Sequence, residues 1–373
     1  MSRTVPSLVV LCAIAGIAVS ACGVTESTKE KEGTNAVTIA FTDDGCVPKP
    51  ASVKAGAWVF KVTNDGASRV SETELMQNGR IVGEKENLTD GLSGKFTLNL
   101  EPGEYVVNCP NAKNDQAKFT VTPGDGKQQK ADPTLEEGVQ AYQAYIQSKA
   151  RSLTPKVDAF VAAVQSGDLE KAKQLYAPAR SDYETIEPVA ETFGNLDPEI
   201  DARVNDVPDV AKWTGFHRIE KALWQDKSLK GMAPIATKLK ADVHQLATLV
   251  KTVKLRPEQI ANGAVGLLDE VARSKITGEE DRYSHTDLWD FDANVAGARE
   301  AFQVLEPALK KKDKALTETI DARFSDVLQA LSKYQTAGGY IDYSTVGAAD
   351  RRKLTTVVNA LAEPLSQVAG KVV

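Results

Sequence analysis

His217 and Glu220 set an imidazole and a carboxylate three residues apart in the stretch from Trp213 to Trp224. On a helix, positions i and i+3 share a face, so the two side chains point the same way. A nitrogen and an oxygen donor aimed together suit a borderline or hard transition ion such as iron, zinc or copper. The same spacing also fits an ordinary surface pair. The flanking Trp213, Phe216, Ile219, Leu223 and Trp224 argue for a partly buried face, where an unpaired charge is costly. Upstream, Glu184 and Glu187 repeat the i, i+3 spacing. Pro188 cannot donate to the carbonyl of Glu184, which predicts a kink where those carboxylates sit. An acidic loop from Asp197 through Asp201 to Asp206 leads into the His217 stretch. A later run behind Gly278 combines Glu279, Glu280, Asp281, His285, Asp287 and Asp290 with Tyr283 and Trp289. Together these segments offer one or two imidazoles and several carboxylates from different helices, and bundle cores are where such sets converge on metals. His244, on a stripe with Val243, Leu246 and Leu249, reads as a helix-surface or core histidine.

The elements that must position these groups are helical. Asp132-Pro133 followed by Glu136 and Glu137 supplies an N-cap, a proline in the first turn and early acidic residues. Leu135, Val139, Tyr142 and Ile146 then mark one apolar stripe. The pattern stays helical to Val373, with breaks near Asp197-Pro198, Asp206 to Pro208, Gly231, Arg256-Pro257, Thr277-Gly278 and Gly338-Gly339. Residues 133–373 therefore form an all-α domain too long for one simple bundle. Ala179-Arg180 through Glu187-Pro188 aligns with Ala298-Arg299 through Glu306-Pro307, and at the same offset Asp168-Leu169 falls on Asp287-Leu288. This reads as a duplicated four-helix unit. Glu184 becomes Gln303 in the second copy and nothing there matches His217-x-x-Glu220, so the ligand set is expected within the first copy.

Residues 35–123 differ in kind. Val37–Phe41, Ala57–Val62, Lys95–Leu100, Glu104–Asn108 and Ala117–Val121 are β-branched, aromatic and alternating, with turn residues between them. Many short strands in so few residues predict a small all-β sandwich. A blue-copper centre needs two histidines and a cysteine, and no histidine precedes His217, so electron transfer of that kind is excluded on ligand supply. Cys46, Glu72, Glu74, Met76 and Cys109 remain. Two readings stand: a Cys46–Cys109 disulfide with solvent-facing glutamates, or a second candidate metal site of Cys46, Cys109 and a glutamate. Residues 124–132, rich in Gly, Lys and Gln, form the linker.

The amino terminus reads as an export signal. Arg3 precedes an apolar run from Leu8 to Val19, too short to span a bilayer. Val19-Ser20-Ala21-Cys22 looks like a bacterial lipobox, which assigns 1–21 to a lipoprotein signal peptide, Cys22 to lipidation and 22–34 to a solvated tether. The expected location is the outer face of the bacterial cell membrane, or the periplasm. Of 373 residues, 42% are hydrophobic and 26% charged, with a net charge of −6. No basic stripe calls for nucleic acid.

The run of Glu184-x-x-Glu187-Pro188, Thr214-Gly215-Phe216-His217-Arg218-Ile219-Glu220, and Thr277 through His285 to Trp289 resembles the imelysin-like (M75 peptidase-type) domain. The strand order before it, with Pro102-Gly103-Glu104-Tyr105 leading to Cys109, resembles a cupredoxin-like domain. The two-domain order is similar to that of the extracytoplasmic components of Efe-type iron uptake. The resemblance implies a metal site on His217 and Glu220 with helper carboxylates that match Glu184, Glu187, Asp201 and Glu280, and a second site in the cupredoxin-like domain at positions that match Cys46, Glu74 and Cys109. It also implies iron as cargo, with copper or zinc as alternatives, and as partners a membrane iron permease and a haem peroxidase-type protein. The class name suggests a metallopeptidase instead. Zincin chemistry wants HExxH or the inverted HxxEH, and here Arg218 follows His217 while Lys221 stands where the inverted motif needs histidine. A di-iron oxidase would need Glu-x-x-His from two helices, which the chain lacks.

Overall fold

Alternation of apolar and polar residues builds two sheets from residues 36–122. One runs in the order β2 (Gly45–Lys49), β1 (Ala36–Thr42), β4 (Gly56–Asn64), β7 (Ser93–Leu100). The other runs β3 (Ser52–Lys54), β9 (Gln116–Thr122), β8 (Gly103–Asn108), β5 (Thr73–Gln77), β6 (Arg80–Lys85). The inward residues Val37, Ile39, Phe41, Phe60, Val62, Phe96, Leu98, Val107 and Phe119 fill the space between them, with Phe60 stacked on Phe96 at 4.8 Å. All five strands expected from the sequence are present. Four more, β2, β3, β5 and β6, are not legible by alternation. The β2 strand contains Pro48 but lies at a sheet edge, where a missing N–H is tolerated. The β5 and β6 strands are charged because one of their faces lines an acidic cleft.

This computed structural model describes residues 35–124, 132–207 and 209–373. The signal segment 1–21, the tether 22–34 with Cys22, and all but the ends of the linker 124–132 lie outside the described residues. No described helix is long and apolar enough to cross a membrane.

The helical domain begins where its cap predicts. Asp132 accepts from the Thr134 N–H at the head of α1 (Pro133–Ser166). There follow α2 (Leu169–Glu184), a 3₁₀ segment (Glu187–Phe193), α3 (Leu196–Asp201), α4 (Gly215–Trp224) and α5 (Ala233–Leu249). A second series is α6 (Pro257–Arg273), α7 (Asp287–Lys312), α8 (Lys314–Ser332) and α9 (Ala348–Leu365). The α1 helix packs on α2 and α5, and α4 touches both of these. Likewise α6 packs on α7 and α9, and α8 touches both. The two pseudo-repeated bundles thus share one packing pattern, and α7 joins them by lying against α1 and α2.

Where the sequence predicts a kink at Glu184–Pro188, the structure ends the helix. The α2 helix stops at Glu184 and the chain continues as the 3₁₀ segment, while the equivalent Pro307 sits inside an unbroken α7. Two glycines explain the difference. A Cβ on Gly263 of α6 would overlap the Pro188 carbonyl, and one on Gly297 of α7 would overlap the Thr185 carbonyl. The irregular backbone therefore lies directly on both helices, which seats Glu184 and Glu187 between them.

The β domain rests on α6. Arg256 Nη1 donates to the Asn99 carbonyl (3.0 Å), Asn262 Nδ2 to that of Thr97 (2.8 Å), and Lys85 Nζ pairs with Asp269 (2.5 Å).

Candidate metal centre

Six carboxylates with almost no solvent exposure, those of Glu184, Glu220, Glu280, Asp281, Asp287 and Asp290, surround the buried His217. Two equally buried cations, Arg180 and Lys275, stand against them. The α4 helix presents His217 and Glu220 on one face, as the i, i+3 spacing predicts, with Nδ1 of His217 3.1 Å from Glu220 Oε2. The other oxygen of Glu220 accepts the backbone N–H groups of Tyr283 (2.9 Å) and Ser284 (2.7 Å). Glu220 thus orients the imidazole and pins the 281–285 turn, with Asp281 also on the Nδ1 side (4.0 Å), and the Nε2 edge of the ring faces Asp201 (3.7 Å) and Glu280 (3.6 Å).

At that edge, ligand atoms of Asp201, His217 and Glu280 lie within 4.8 Å of one another. Glu184, Glu280 and Asp290 form a neighbouring group by the same measure, and Glu184, Glu187 and Asp201 another. The six residues singled out from the sequence therefore fall in one connected cluster. Glu187 belongs to its outer side, bonded to Lys275 Nζ (2.6 Å) and Asn294 Nδ2 (2.6 Å) rather than to His217. The cluster is not confined to the first bundle as expected. Lys275, Glu280, Asp281, Asp287 and Asp290 come from the second, so the site lies where the two copies meet.

Sequence reading missed Arg180 and Lys275. Arg180 Nη1 lies 2.6 Å from Asp201 Oδ1 and 2.9 Å from His217 Nε2, and Nη2 lies 2.6 Å from Glu184 Oε1, 3.1 Å from Glu280 Oε1 and 3.3 Å from Asp290 Oδ2. Lys275 Nζ reaches Glu184 at 3.3 Å and Glu280 at 3.6 Å. The one available signal was Arg180 standing four residues before Glu184, a spacing that usually means a surface pair. His285 is half-buried in a left-handed backbone conformation, with its carbonyl accepting from the Tyr343 N–H. His244 pairs with Asp158 on the surface, in line with its surface reading.

Electrostatics divide the carboxylates. Burial would raise Glu280, but Lys275, Arg203 and His217 outweigh it and hold its pKa well below the usual range. Burial pushes Asp290 and Asp287 well up, Asp281 adding to both through its charge. Asp201 is pushed up to about 8, burial exceeding the opposing pull of Arg180. For His217, burial and Arg180 favour the neutral ring, while Glu220, Glu280 and Asp201 favour the charged one and raise its pKa to about 10. Yet at 2.9 Å an arginine N–H needs the lone pair of Nε2, since two donors at that distance would repel. The contact is that of a neutral imidazole with its proton on Nδ1.

Four oxygens in this cluster are buried without a hydrogen-bond partner: both of Asp290, of which Oδ2 has only its ion pair with Arg180, Oδ2 of Asp287 and Oδ1 of Asn294. Buried acceptors are normally satisfied, and orphaned oxygens beside carboxylates and an imidazole fit a hard or borderline cation.

The cluster opens on a cleft of about 680 Å³ between the helical domain and the β sandwich. Glu72, Glu74, Glu84 and Glu86 line it from one side, and Glu187, Glu191, Asp197, Asp201, Glu270 and Glu280 from the other. Burial and mutual repulsion raise the pKa of Glu72 to about 7, and burial with the charges of Asp197, Glu74 and Glu270 does the same for Glu191.

The second candidate site is corrected by the covalent structure. Cys46 and Cys109 form a disulfide, so neither offers a thiolate, and Glu74 accepts from Asn108 Nδ2 at 2.7 Å. A site of Cys46, Glu74 and Cys109 is not formed.

Residues 138–368 match the family model for imelysin, peptidase M75, and residues 13–121 match the cupredoxin-like domain model. The iron uptake system component EfeO of Escherichia coli (strain K12) is 42% identical over 340 residues, covering 90% of each chain. The protein of the same name from Shigella flexneri matches equally. Among solved structures, an iron-regulated protein A precursor from Parabacteroides distasonis superposes with a TM-score of 0.51 at 16% identity, covering 67% of this chain and 98% of that one. That likeness shows the fold alone.

Proposed function

Because the chain belongs to the imelysin family and carries a cupredoxin-like domain ahead of it, we propose that it is an extracytoplasmic component of iron uptake. In this reading it is an exported lipoprotein, anchored through Cys22, that captures iron and delivers it to a membrane iron permease. A haem peroxidase-type partner adjusts the oxidation state of the metal. His217, Asp201 and Glu280 hold the ion, with Glu184 and Asp290 alongside, Glu220 orienting the imidazole and Glu187 closing the outer side.

One observation supports this above the others. Six buried carboxylates face two buried cations, and four of the oxygens around them lack any hydrogen bond. Burial pushes Asp287 and Asp290 towards their protonated forms, because unpaired buried charge is costly, and a di- or trivalent ion would take the place of those protons. The donor set is oxygen-rich with one imidazole, which suits iron better than a thiolate site would. Capture from solution needs an open route, and the acidic cleft concentrates cations ahead of the buried cluster.

The experiment is calorimetric titration with ferric citrate and with ferrous iron. His217→Ala should lose tight iron binding and keep its far-UV circular dichroism; an unchanged titration in that variant rejects the site. The metallopeptidase alternative is tested by incubation with casein and zinc, where sustained cleavage would overturn the transport reading.

A further inference from the structure

Two of the groups able to hold a metal ion, Asp201–His217–Glu280 and Glu184–Glu280–Asp290, each already contain a cationic nitrogen. Arg180 Nη1 stands in the first, 2.6 Å from Asp201 and 2.9 Å from His217 Nε2. Arg180 Nη2 stands in the second, 2.6 Å from Glu184, 3.1 Å from Glu280 and 3.3 Å from Asp290. A transition ion sits about 2.0–2.2 Å from nitrogen and oxygen ligands. It would therefore take the space the guanidinium nitrogens fill and the same lone pairs they use. The two cations cannot share either group.

The far side of the guanidinium is held differently. Its Nε is buried and makes no hydrogen bond, with the Asp281 carboxylate 3.9 Å away. The rings of Tyr176 and Phe216 flank it at 5.8 and 5.6 Å. Aromatic faces stabilise a cation without carboxylates, so a guanidinium pushed off the fork has somewhere to rest.

We propose that Arg180 is an exchangeable internal counter-cation. Its guanidinium gathers the ligands of this site, an incoming metal ion displaces it, and its return expels the ion. This rests on the metal-binding reading of the cluster and adds to it a determinant of release. Arginine is suited to the task because its fork spans two groups at once and keeps its charge at any physiological pH. A protein that must hand its cargo on gains from a competing cation tethered beside the ligands. The local concentration of that competitor does not fall as the ion leaves.

The test uses the full chain, treated with chelator and titrated with zinc(II) and with gallium(III) as diamagnetic probes. Arg180→Gln, which removes the charge, should bind zinc about tenfold tighter or more and release it more slowly to excess chelator. Arg180→Lys, a single ammonium unable to span both groups, should fall between. Because the neutral variant lacks a buried ion-pair hub and can fail to fold, a second measurement uses the wild-type chain labelled with ¹⁵N-arginine. The Arg180 Nε–H resonance should move and lose exchange protection at one equivalent of metal. Equal or weaker zinc binding by folded Arg180→Gln overturns the proposal, as does a resonance unmoved while zinc binds. Absence of binding to both wild type and variant removes the metal reading itself and the proposal with it.

Discussion

Removing the Glu220 carboxylate tests how the site is held together. Its Oε1 accepts the Tyr283 and Ser284 backbone N–H groups at 2.9 and 2.7 Å, and its Oε2 faces His217 Nδ1 at 3.1 Å. None of these groups reaches solvent through Glu220, which is fully buried. Glu220→Ala strands three donors, each costing about 1–3 kcal/mol when left unpaired. Because the three donors share one acceptor group and their costs overlap, the total is about 3–5 kcal/mol. Glu220→Gln behaves differently. Its amide oxygen can still accept both backbone N–H groups, so the 281–285 turn stays tied. Its NH₂ now faces Nδ1, which forces the imidazole proton to Nε2 and against Arg180, for about 1–3 kcal/mol. Urea unfolding followed by far-UV circular dichroism should rank wild type above Gln and Gln above Ala. If Ala falls within about 1 kcal/mol of wild type, or Gln is as damaging as Ala, Glu220 does not anchor the imidazole and the turn.

Other perturbations reach different parts of the molecule. Gly263→Ala should destabilise the helical domain by about 1–3 kcal/mol or more and weaken iron binding, since a Cβ there collides with the Pro188 carbonyl; Gly266→Ala, with nothing nearby, should be neutral or slightly stabilising. Replacing Cys46 and Cys109 with serine should cost the β sandwich about 2–5 kcal/mol while leaving iron titration of the His217 cluster unchanged. The pH dependence comes from Glu72 and Glu191, both raised to about 7 from an ordinary value of 4.5. The fold binds protons there that the unfolded chain does not, so their contribution is full below about pH 4.5 and lost as pH rises through about 7. The thermal midpoint should accordingly fall between pH 5 and pH 8, and Glu191→Gln should flatten that slope in a scanning calorimeter.

Much of this was legible in the residues. The i, i+3 placement of His217 and Glu220 gave the site its centre, and the Asp132-Pro133 cap and the Glu187/Glu306 alignment gave the two-bundle architecture. What escaped depended on long-range packing. Nothing local distinguishes Arg180 from a surface arginine, because its burial comes from α7 and the 281–285 turn closing over it. Asn294 sits in a helix of mixed character and joins the cluster only when α7 meets α2. The end of α2 at Glu184 reads as a kink in the sequence because the deciding residues are two glycines, Gly263 and Gly297, on other helices. The β5 and β6 strands hid because their glutamates face a cleft that exists only once the two domains are apposed.

The claim that the His217 cluster holds iron is tested most directly by anomalous diffraction at the iron absorption edge from crystals grown with the metal. The expected result is a peak within bonding distance of His217 Nε2 and of the carboxylates of Asp201 and Glu280, with Glu184 and Asp290 adjoining it. A peak confined to the β sandwich or the cleft, with the His217 cluster bare of iron, would contradict it.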